Sequence, residues 1–311
     1  MARRKATWDA KIILLALSLT VAISLLTPYT AIVISLFLLI SIHQLLLRMI
    51  FKGPDERSLP FSDPNWDVIK VDNNGVDAYG FVHFHEQKSD LIVFIHGWQS
   101  SSEKFIERIK IFHDEGLHTL AIDMRGHGIA PGTTEWTAGK VIQDVKAILQ
   151  EIDTSKIENI HFYGHSLGAF VCIGMHHPRH TGWWKDNYGT LMIESPMVAY
   201  SPIMEDMASK VKFMLPLLKW LSIRGFNKIH PEAGGIEWED VDIPLWGVPK
   251  VPTLLLQAAN DNRLGRFHYD LLLEQDIEIY PHLIDSLAHS KNRVNKERDD
   301  LIRNWIETKI L

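Results

Sequence analysis

The sequence has little cysteine and no excess of positive charge. Only one of its 311 residues, Cys172, is a cysteine, which excludes an internal disulfide framework. A lone cysteine is most often a small buried apolar residue, and we interpret Cys172 in that way. The formal net charge of −6 at pH 7 gives no reason to expect a nucleic acid partner.

Charged residues are also absent from two long apolar runs near the N-terminus. The runs cover residues 12–26 and 31–47 and are separated by a turn at Pro28. As one straight helix they would measure about 54 Å, against a hydrocarbon core of about 30 Å. We therefore predict a transmembrane hairpin in residues 1–51. Its two predicted spans cover about residues 12–29 and 31–50.

Basic residues flank the predicted hairpin and are absent from its turn. They are Arg3, Arg4, Lys5 and Lys11 before it, and Arg48 and Lys52 after it. The positive-inside rule then places both ends of the hairpin, and the domain that follows, in the cytoplasm. The alternatives are a cleaved signal peptide over the first run, which lacks a small-x-small cleavage site, and a single span with an outside domain.

The rest of the sequence alternates short β-rich runs with helical patterns. Residues 52–65 are charged and proline-rich and predict a linker, so the predicted domain covers residues 66–311. The run LIVFIHG at 91–97 is typical of a strand that is buried on both faces. We therefore predict an α/β domain with a mostly parallel sheet and helices on both faces, which begins with a hairpin at Asn73-Asn74-Gly75.

The segment 197–250 interrupts this alternation. Its residues 201–226 are apolar and helical in pattern, with several methionines and leucines. Because the segment lies between two predicted strands, we predict a helical insertion, or cap, above the sheet.

The segment Tyr163-Gly164-His165-Ser166-Leu167-Gly168 places a serine between two glycines, where a predicted strand runs into a predicted helix. Such a sharp turn forces the serine into a strained conformation, and a Cβ at either glycine would clash with its surroundings. The helix N-terminus also offers free N–H groups and a positive dipole to an anion. Ser166 is therefore the candidate nucleophile for acyl transfer.

Four motifs, in this order, resemble the α/β-hydrolase family. They are His96-Gly97-Trp98, the loop Asp123-Met124-Arg125-Gly126-His127-Gly128, the serine turn, and an aspartate and a histidine that follow late strands. The resemblance covers about residues 66–311 and is to capped serine hydrolases similar to monoacylglycerol lipases, lysophospholipases and S33-type peptidases. It implies the α/β-hydrolase fold and hydrolysis through an acyl-enzyme.

The resemblance also implies the partners of the serine. In this fold the catalytic acid and histidine follow the serine in that order, which selects Asp261 and His289. His289 would take the proton from Ser166, and Asp261 would orient the imidazole. The backbone N–H groups of Trp98 and Leu167 would bind the oxyanion.

Several alternatives for these residues remain open in the sequence. Glu194 is the best alternative acid, and His268 and His282 are the alternative bases. The family usually has glycine before the catalytic histidine, whereas this sequence has Ala288. We interpret Arg125 and His127 as residues that brace their loop.

We expect neither a metal nor a cofactor. The histidine clusters His83-Phe84-His85-Glu86 and His176-His177-Pro178-Arg179-His180 lack the i, i+4 pair with a glutamate that marks a helical zinc site.

A serine nucleophile restricts the substrate to an ester, a thioester or an amide. The apolar cap could cover an acyl chain, although its side chains could equally pack only against each other, and the predicted hairpin would hold the site near lipid. We predict a membrane-bound carboxylesterase for lipid-like esters such as monoacylglycerols or lysophospholipids. Its predicted partners are that substrate and the lipid bilayer, and the oligomeric state stays open. The alternatives are an S33-like peptidase or acyl-protein thioesterase with the same triad, and a non-catalytic membrane scaffold.

Overall fold

The structure, a computed structural model, describes residues 4–55, 58–290 and 292–311. Arg3, which contributes to the predicted orientation, and residues 56 and 57 of the predicted linker lie outside the described residues. The chain forms two compact units, which we call the hairpin unit and the sheet unit. The hairpin unit comprises Met1–Gly53, Thr133–Thr137 and Met207–Trp238, and the sheet unit comprises Pro54–Gly132, Ala138–Asp206 and Glu239–Leu311.

The sheet unit contains eight described strands. They are β1 (Asp67–Asp72), β2 (Asp77–His83), β3 (Ser89–Ile95), β4 (His118–Asp123), β5 (Ile157–His165), β6 (Tyr188–Glu194), β7 (Thr253–Ala258) and β8 (Ile279–Ile284). Their order in the sheet is β1-β2-β4-β3-β5-β6-β7-β8. The pairs β1–β2 and β2–β4 are antiparallel and the others are parallel, which confirms the predicted mostly parallel sheet. The β-hairpin between β1 and β2 turns at Asn74, whose φ is 57°.

Nine α-helices are found in the described part of the chain. They are α1 (Ala10–Leu26), α2 (Thr30–Ile50), α3 (Ile106–Asp114), α4 (Ala138–Gln150), α5 (Leu167–Met175), α6 (Ser201–Met207), α7 (Leu215–Ile229), α8 (Phe267–Leu273) and α9 (Lys296–Trp305). Helix α9 starts at Lys296, where the Asn295 side chain caps it, and a π-helical turn follows it over Ile306–Ile310.

The core of the sheet unit lies around its central strands. Leu91–Ile95 of β3 are all buried, as the continuous apolar run predicts for a strand covered on both faces. Phe61, inside the predicted linker, is also buried in this core, where its ring packs 4.6 Å from that of Phe81. The end of the predicted linker is therefore part of the packed sheet unit.

The insertion is less regular than the sequence pattern predicts. Helix α6 ends at Met207, a 3₁₀ segment follows over Ser209–Met214, and α7 begins only at Leu215. Pro216 explains the break, because proline has no N–H to donate to a preceding turn and its ring disfavours a helix through that turn. The insertion is therefore helical, as its pattern predicts, but it is divided into separate helical segments.

The hairpin unit contains the two N-terminal apolar helices. Helix α2 has 21 residues with a mean hydropathy of 2.3 in its most apolar window, and among the described helices only α2 is long and apolar enough to cross a membrane. Helix α1 has 17 residues, about 26 Å, and ends at Leu26, before the predicted end of the first span at residue 29. The second crossing therefore remains a prediction.

Within the hairpin unit, α7 packs on the C-terminal end of α2. Leu221 and Ile229 of α7 share a small buried core with Ala6, Leu47 and Phe51. At the same end of the hairpin the Arg48 guanidinium donates a hydrogen bond to the Trp8 carbonyl. Part of the predicted cap therefore belongs to the same compact body as the apolar helices.

Candidate active site

Ser166 lies at the sharp turn between β5 and α5. Its backbone has φ 52° and ψ −117°, a strained conformation for a residue with a Cβ. A Cβ on Gly164 would come within 2.6 Å of the Ala169 Cα, and one on Gly168 within 2.0 Å of the Ile95 carbonyl oxygen. The Ser166 N–H donates to the Glu194 carbonyl oxygen at 3.0 Å, so the neighbouring strand holds the turn.

The structure brings Ser166, His289 and Asp261 together. His289 Nε2 lies 3.1 Å from Ser166 Oγ, and His289 Nδ1 lies 2.7 Å from Asp261 Oδ2. These side chains follow β5, β8 and β7, whose carboxyl ends share one edge of the sheet. A carboxylate on Nδ1 fixes the tautomer that leaves the Nε2 lone pair facing the serine hydroxyl.

The Asp261 carboxylate is shielded from solvent and well supplied with donors. Its Oδ1 accepts hydrogen bonds from the backbone N–H groups of Arg263 at 2.8 Å and Leu264 at 2.9 Å. Burial alone would raise the pKa of Asp261, but the His289 hydrogen bond and these two N–H groups lower that pKa to about 2. Asp261 is therefore a fixed negative charge throughout the neutral range.

The loop after β3 lies against the serine turn. A Cβ on Gly97 would come within 3.2 Å of the Ser166 Cβ, so the Gly97 backbone passes directly beside the candidate nucleophile. Trp98 follows in this loop, and Leu167 is the first residue of α5, where N–H groups lack partners in the helix. Both predicted oxyanion donors thus flank Ser166, and their role remains a proposal.

Three comparisons with known proteins bear on the fold of this chain. The family model described as serine aminopeptidase, S33 matches residues 86–235. A Pyrococcus furiosus esterase, Pf2001, superposes with a TM-score of 0.59 and 18% identity, over 83% of this chain and 97% of that one. The chain has the α/β-hydrolase fold.

Another solved structure and two relatives matched by sequence are also similar to this chain. Est1E from Butyrivibrio proteoclasticus, solved with ferulic acid, gives a TM-score of 0.58 at 17% identity over 78% of this chain and 99% of that one. A serine hydrolase-like protein of Dictyostelium discoideum is 24% identical over 97 residues, which are 31% of this chain and 27% of that protein. Protein phosphatase methylesterase 1 of Candida albicans is 32% identical over 87 residues, 27% of this chain and 24% of that protein. The chain thus matches about a quarter of the length of these two relatives.

The α/β-hydrolase loop over residues 123–128 braces the site without touching Ser166 in any described contact. His127 Nε2 accepts the Gln99 N–H at 3.0 Å, and Gln99 follows Trp98 with φ 53°. Arg125 is buried and forms a bidentate ion pair with Asp144 at 2.7 and 2.5 Å. These contacts agree with the bracing roles that we interpret for Arg125 and His127.

The carboxylate of Glu194, the alternative acid, is hydrogen-bonded to side chains other than His289. Its buried carboxylate accepts two hydrogen bonds from Arg108, at 2.8 and 2.6 Å, and one from the Tyr163 hydroxyl at 2.5 Å. A second buried guanidinium, Arg298, lies 3.7 Å away and also donates to the carbonyl oxygen of Asn292, in the loop after His289. The geometry therefore favours Asp261 as the acid.

The alternative bases also lie apart from Ser166 in the described contacts. His268 Nδ1 accepts the Val198 N–H at 3.3 Å, and burial lowers the pKa of His268 to about 4. His282 is half-buried within β8. Among the described residues, no group of three or more histidine, cysteine, aspartate or glutamate side chains is arranged to hold a metal ion.

His165 is a site residue that sequence reasoning missed. Its Nε2 lies 2.7 Å from the His289 carbonyl oxygen, and since that oxygen can only accept, the imidazole donates. The bond ties the residue before the serine to the backbone of the candidate base. The sequence offers only position as a signal, because His165 occupies the first variable place between the two glycines.

Three buried imidazoles around the site predict acid sensitivity. Burial lowers the pKa of His96 and His165 to about 4 and that of His127 to about 3, while an unfolded histidine has a pKa of about 6.5. Below pH 6.5 the unfolded state therefore binds more protons than the folded state, so stability falls as the pH falls towards 4.

At pH 5 we expect a loss of about 2 kcal/mol in unfolding free energy for each such histidine, relative to pH 8. The midpoint of urea unfolding, followed by near-UV circular dichroism of the full chain in detergent micelles, measures the loss. Equal midpoints at pH 8 and pH 5 would contradict the prediction.

Proposed function

We propose that the protein is a membrane-anchored serine hydrolase that cleaves carboxylic esters through an acyl-enzyme on Ser166. The observation that supports this most directly is the continuous chain from Ser166 Oγ through His289 to Asp261, with heavy-atom separations of 3.1 and 2.7 Å. An acyl-transfer nucleophile needs this order of hydroxyl, base and orienting carboxylate. The likeness in fold to esterases adds support.

The proposed reaction has two halves. Ser166 Oγ attacks the ester carbonyl carbon while His289 Nε2 takes its proton, and the oxyanion is bound by the N–H groups of Leu167 and Trp98, each worth about 3 kcal/mol. His289 then protonates the leaving alkoxide as the carbon–oxygen bond breaks, which leaves the acyl group on Ser166. Water attacks this ester with His289 as base and releases the carboxylic acid. Asp261 stays ionised and stabilises the imidazolium throughout.

We further propose a lipid-like substrate, such as a monoacylglycerol or a lysophospholipid. Helix α2, which is long and apolar enough to span a bilayer, supports a location where such esters are concentrated. We place the N-terminal hairpin across the membrane twice, with the sheet unit in the cytoplasm, because the basic residues flank the hairpin and not its turn. Protease added outside intact cells is then expected to leave the sheet unit uncut.

A competition experiment tests the proposed chemistry and substrate together. The full chain in vesicles is treated with a fluorophosphonate probe, which labels activated serines, in the presence of monoacylglycerols and lysophospholipids of graded acyl length. We expect Ser166 to be labelled, and we expect long-chain esters to block labelling at lower concentration than acetyl esters. Each buried methylene contributes about 0.8 kcal/mol, so several carbons shift the blocking concentration by orders of magnitude.

The two parts of the proposal fail separately in this experiment. Absence of labelling would contradict the assignment of Ser166 as the nucleophile and would favour a non-catalytic scaffold. Labelling that acetyl esters block better than long-chain esters would contradict only the lipid preference.

The match to the S33 serine aminopeptidase model supports a second candidate. A peptidase or an acyl-protein thioesterase would use the same triad, because both substrates also pass through an acyl-enzyme. Aminoacyl and S-acyl substrates added to the same competition panel distinguish this candidate. It is favoured if they block labelling and every lipid ester fails to do so.

A further inference from the structure

We propose that residues 207–220, which we call the docking segment, bind the headgroup layer of an anionic phospholipid bilayer beside the end of α2. The segment belongs to the hairpin unit and joins α6 to the first turns of α7. This inference rests on the membrane placement of α2 in the proposed function. It assigns this part of the insertion to the lipid surface.

The docking segment exposes large apolar side chains. Phe213 is 84% exposed, Met207 66% and Trp220 53%, and Val211 and Leu217 are exposed as well. Scattered apolar residues are normal on a protein surface, but five exposed ones within 14 residues are a local concentration of the kind that marks an interaction site. Tryptophan favours the boundary between water and hydrocarbon, and phenylalanine is common on the apolar face of segments that lie at that boundary.

The charged side chains within this segment and along the rest of α7 have one sign. Residues 207–229 contain no aspartate or glutamate, although the whole chain has a net charge of −6. Five basic residues fall in the same stretch: Lys210, Lys212, Lys219, Arg224 and Lys228. Each basic group near an anionic membrane surface is attracted to the lipid phosphates. Alternating basic and apolar side chains therefore suit an anionic lipid surface.

The packing of α7 sets the depth of the segment. Leu221 and Ile229 are buried against Leu47 and Phe51, at the end of α2 where its apolar run stops. Arg48 lies in that last turn, as expected where a span meets the headgroups. A helix that packs on this end of α2 is held at the membrane boundary by apolar contacts within one unit.

The exposed face of α7 adjoins its buried face. Leu217, Trp220 and Arg224 follow the i, i+3, i+7 spacing of a single helical stripe. The Arg224 guanidinium lies 5.0 Å from the Trp220 ring, so it covers one side of the indole. In such a pair the guanidinium is suited to bind a lipid phosphate, and the indole ring is suited to contact the hydrocarbon.

The single native cysteine makes a site-specific test practical. In a Cys172→Ala background of the full chain, one new cysteine is placed at a time: Phe213→Cys in the docking segment, Glu237→Cys as an exposed control in the same unit, and Leu36→Cys within α2. Each variant is labelled with an NBD fluorophore and reconstituted into vesicles of equal parts phosphatidylcholine and phosphatidylglycerol. Emission wavelength and quenching by iodide, which stays in water, are measured.

We expect the label at position 213 to shift to shorter wavelength and to lose iodide quenching on reconstitution, while position 237 stays quenched. Quenching at 213 equal to that at 237, with position 36 shielded, would overturn the inference and leave the span in place. It is also the result expected if a protein partner covers the segment, because these vesicles contain only lipid. Quenching at position 36 would overturn the span and the inference together. Fluorophosphonate labelling of Ser166 in the same samples reports separately on the proposed chemistry.

Discussion

Replacing Ser166 with alanine is expected to lower kcat on an ester substrate by about 10⁴- to 10⁶-fold and to abolish fluorophosphonate labelling. In the proposed mechanism the Ser166 oxygen forms and releases the acyl-enzyme, and no other described side chain hydrogen-bonds His289 Nε2. Alanine removes that oxygen and leaves the strained turn, its glycines and its backbone contacts in place. Initial rates with a chromogenic ester and mass spectrometry of the labelled chain measure the two effects.

Ser62→Ala is the matched control, because Ser62 is an exposed serine of the sheet unit. This variant should keep both the rate and the labelling of the unsubstituted protein. Normal turnover in Ser166→Ala, or continued labelling at another serine, would contradict the assignment of the nucleophile. The residual rate expected in Ser166→Ala comes from binding and the oxyanion donors alone.

Replacing Asp261 with asparagine is expected to lower kcat by about 10⁴-fold with little loss of stability. The amide is nearly the same size as the carboxylate, but it can turn an NH₂ group towards His289 Nδ1. The imidazole then carries its proton on Nε2, where it faces the Ser166 hydroxyl and cannot act as a base. Steady-state kinetics with a thermal unfolding scan of the same sample separate the two effects.

Glu194→Gln provides the comparison that decides between the two acids. The Glu194 carboxylate neutralises Arg108 and lies close to Arg298, and all three side chains are buried. Removal of its charge is therefore expected to cost about 3–5 kcal/mol of unfolding free energy. Turnover per folded molecule should remain close to normal. A large fall in kcat for Glu194→Gln, together with full activity in Asp261→Asn, would reverse the assignment.

Much of the sheet unit can be predicted from the sequence because its signals are local. The strand β3 is a continuous apolar run, and the turn at Ser166 needs glycines on both sides for steric reasons. The candidate acid and base each follow a strand directly, so a parallel sheet brings them to one edge whatever the loops do between them. Their catalytic roles remain a prediction, whereas their proximity is a property of the structure.

Other features depend on contacts between distant parts of the chain and have no local signal. The sequence around Glu194 does not predict its partners Arg108 and Arg298. These side chains come from α3 and α9 and lie beside the Glu194 carboxylate. The bond from His165 to the His289 carbonyl depends on how two loops pack. The division of the insertion between two units likewise depends on Leu47 and Phe51, more than 150 residues before their partners in α7.

The hairpin unit combines the N-terminal residues with two later segments of the chain, which has a practical consequence for recombinant production. A shortened version that starts at Pro54 would seem the natural way to obtain the domain without its apolar helices. It would uncover Leu221 and Ile229, which pack against Leu47 and Phe51, and would take from the buried Glu135 carboxylate both donors supplied by Thr7. Such a fragment would lack the buried side chains that the N-terminal residues contribute to the core around α7. The N-terminal segment is thus a folding partner of the downstream chain, whether or not it also anchors the protein as we propose.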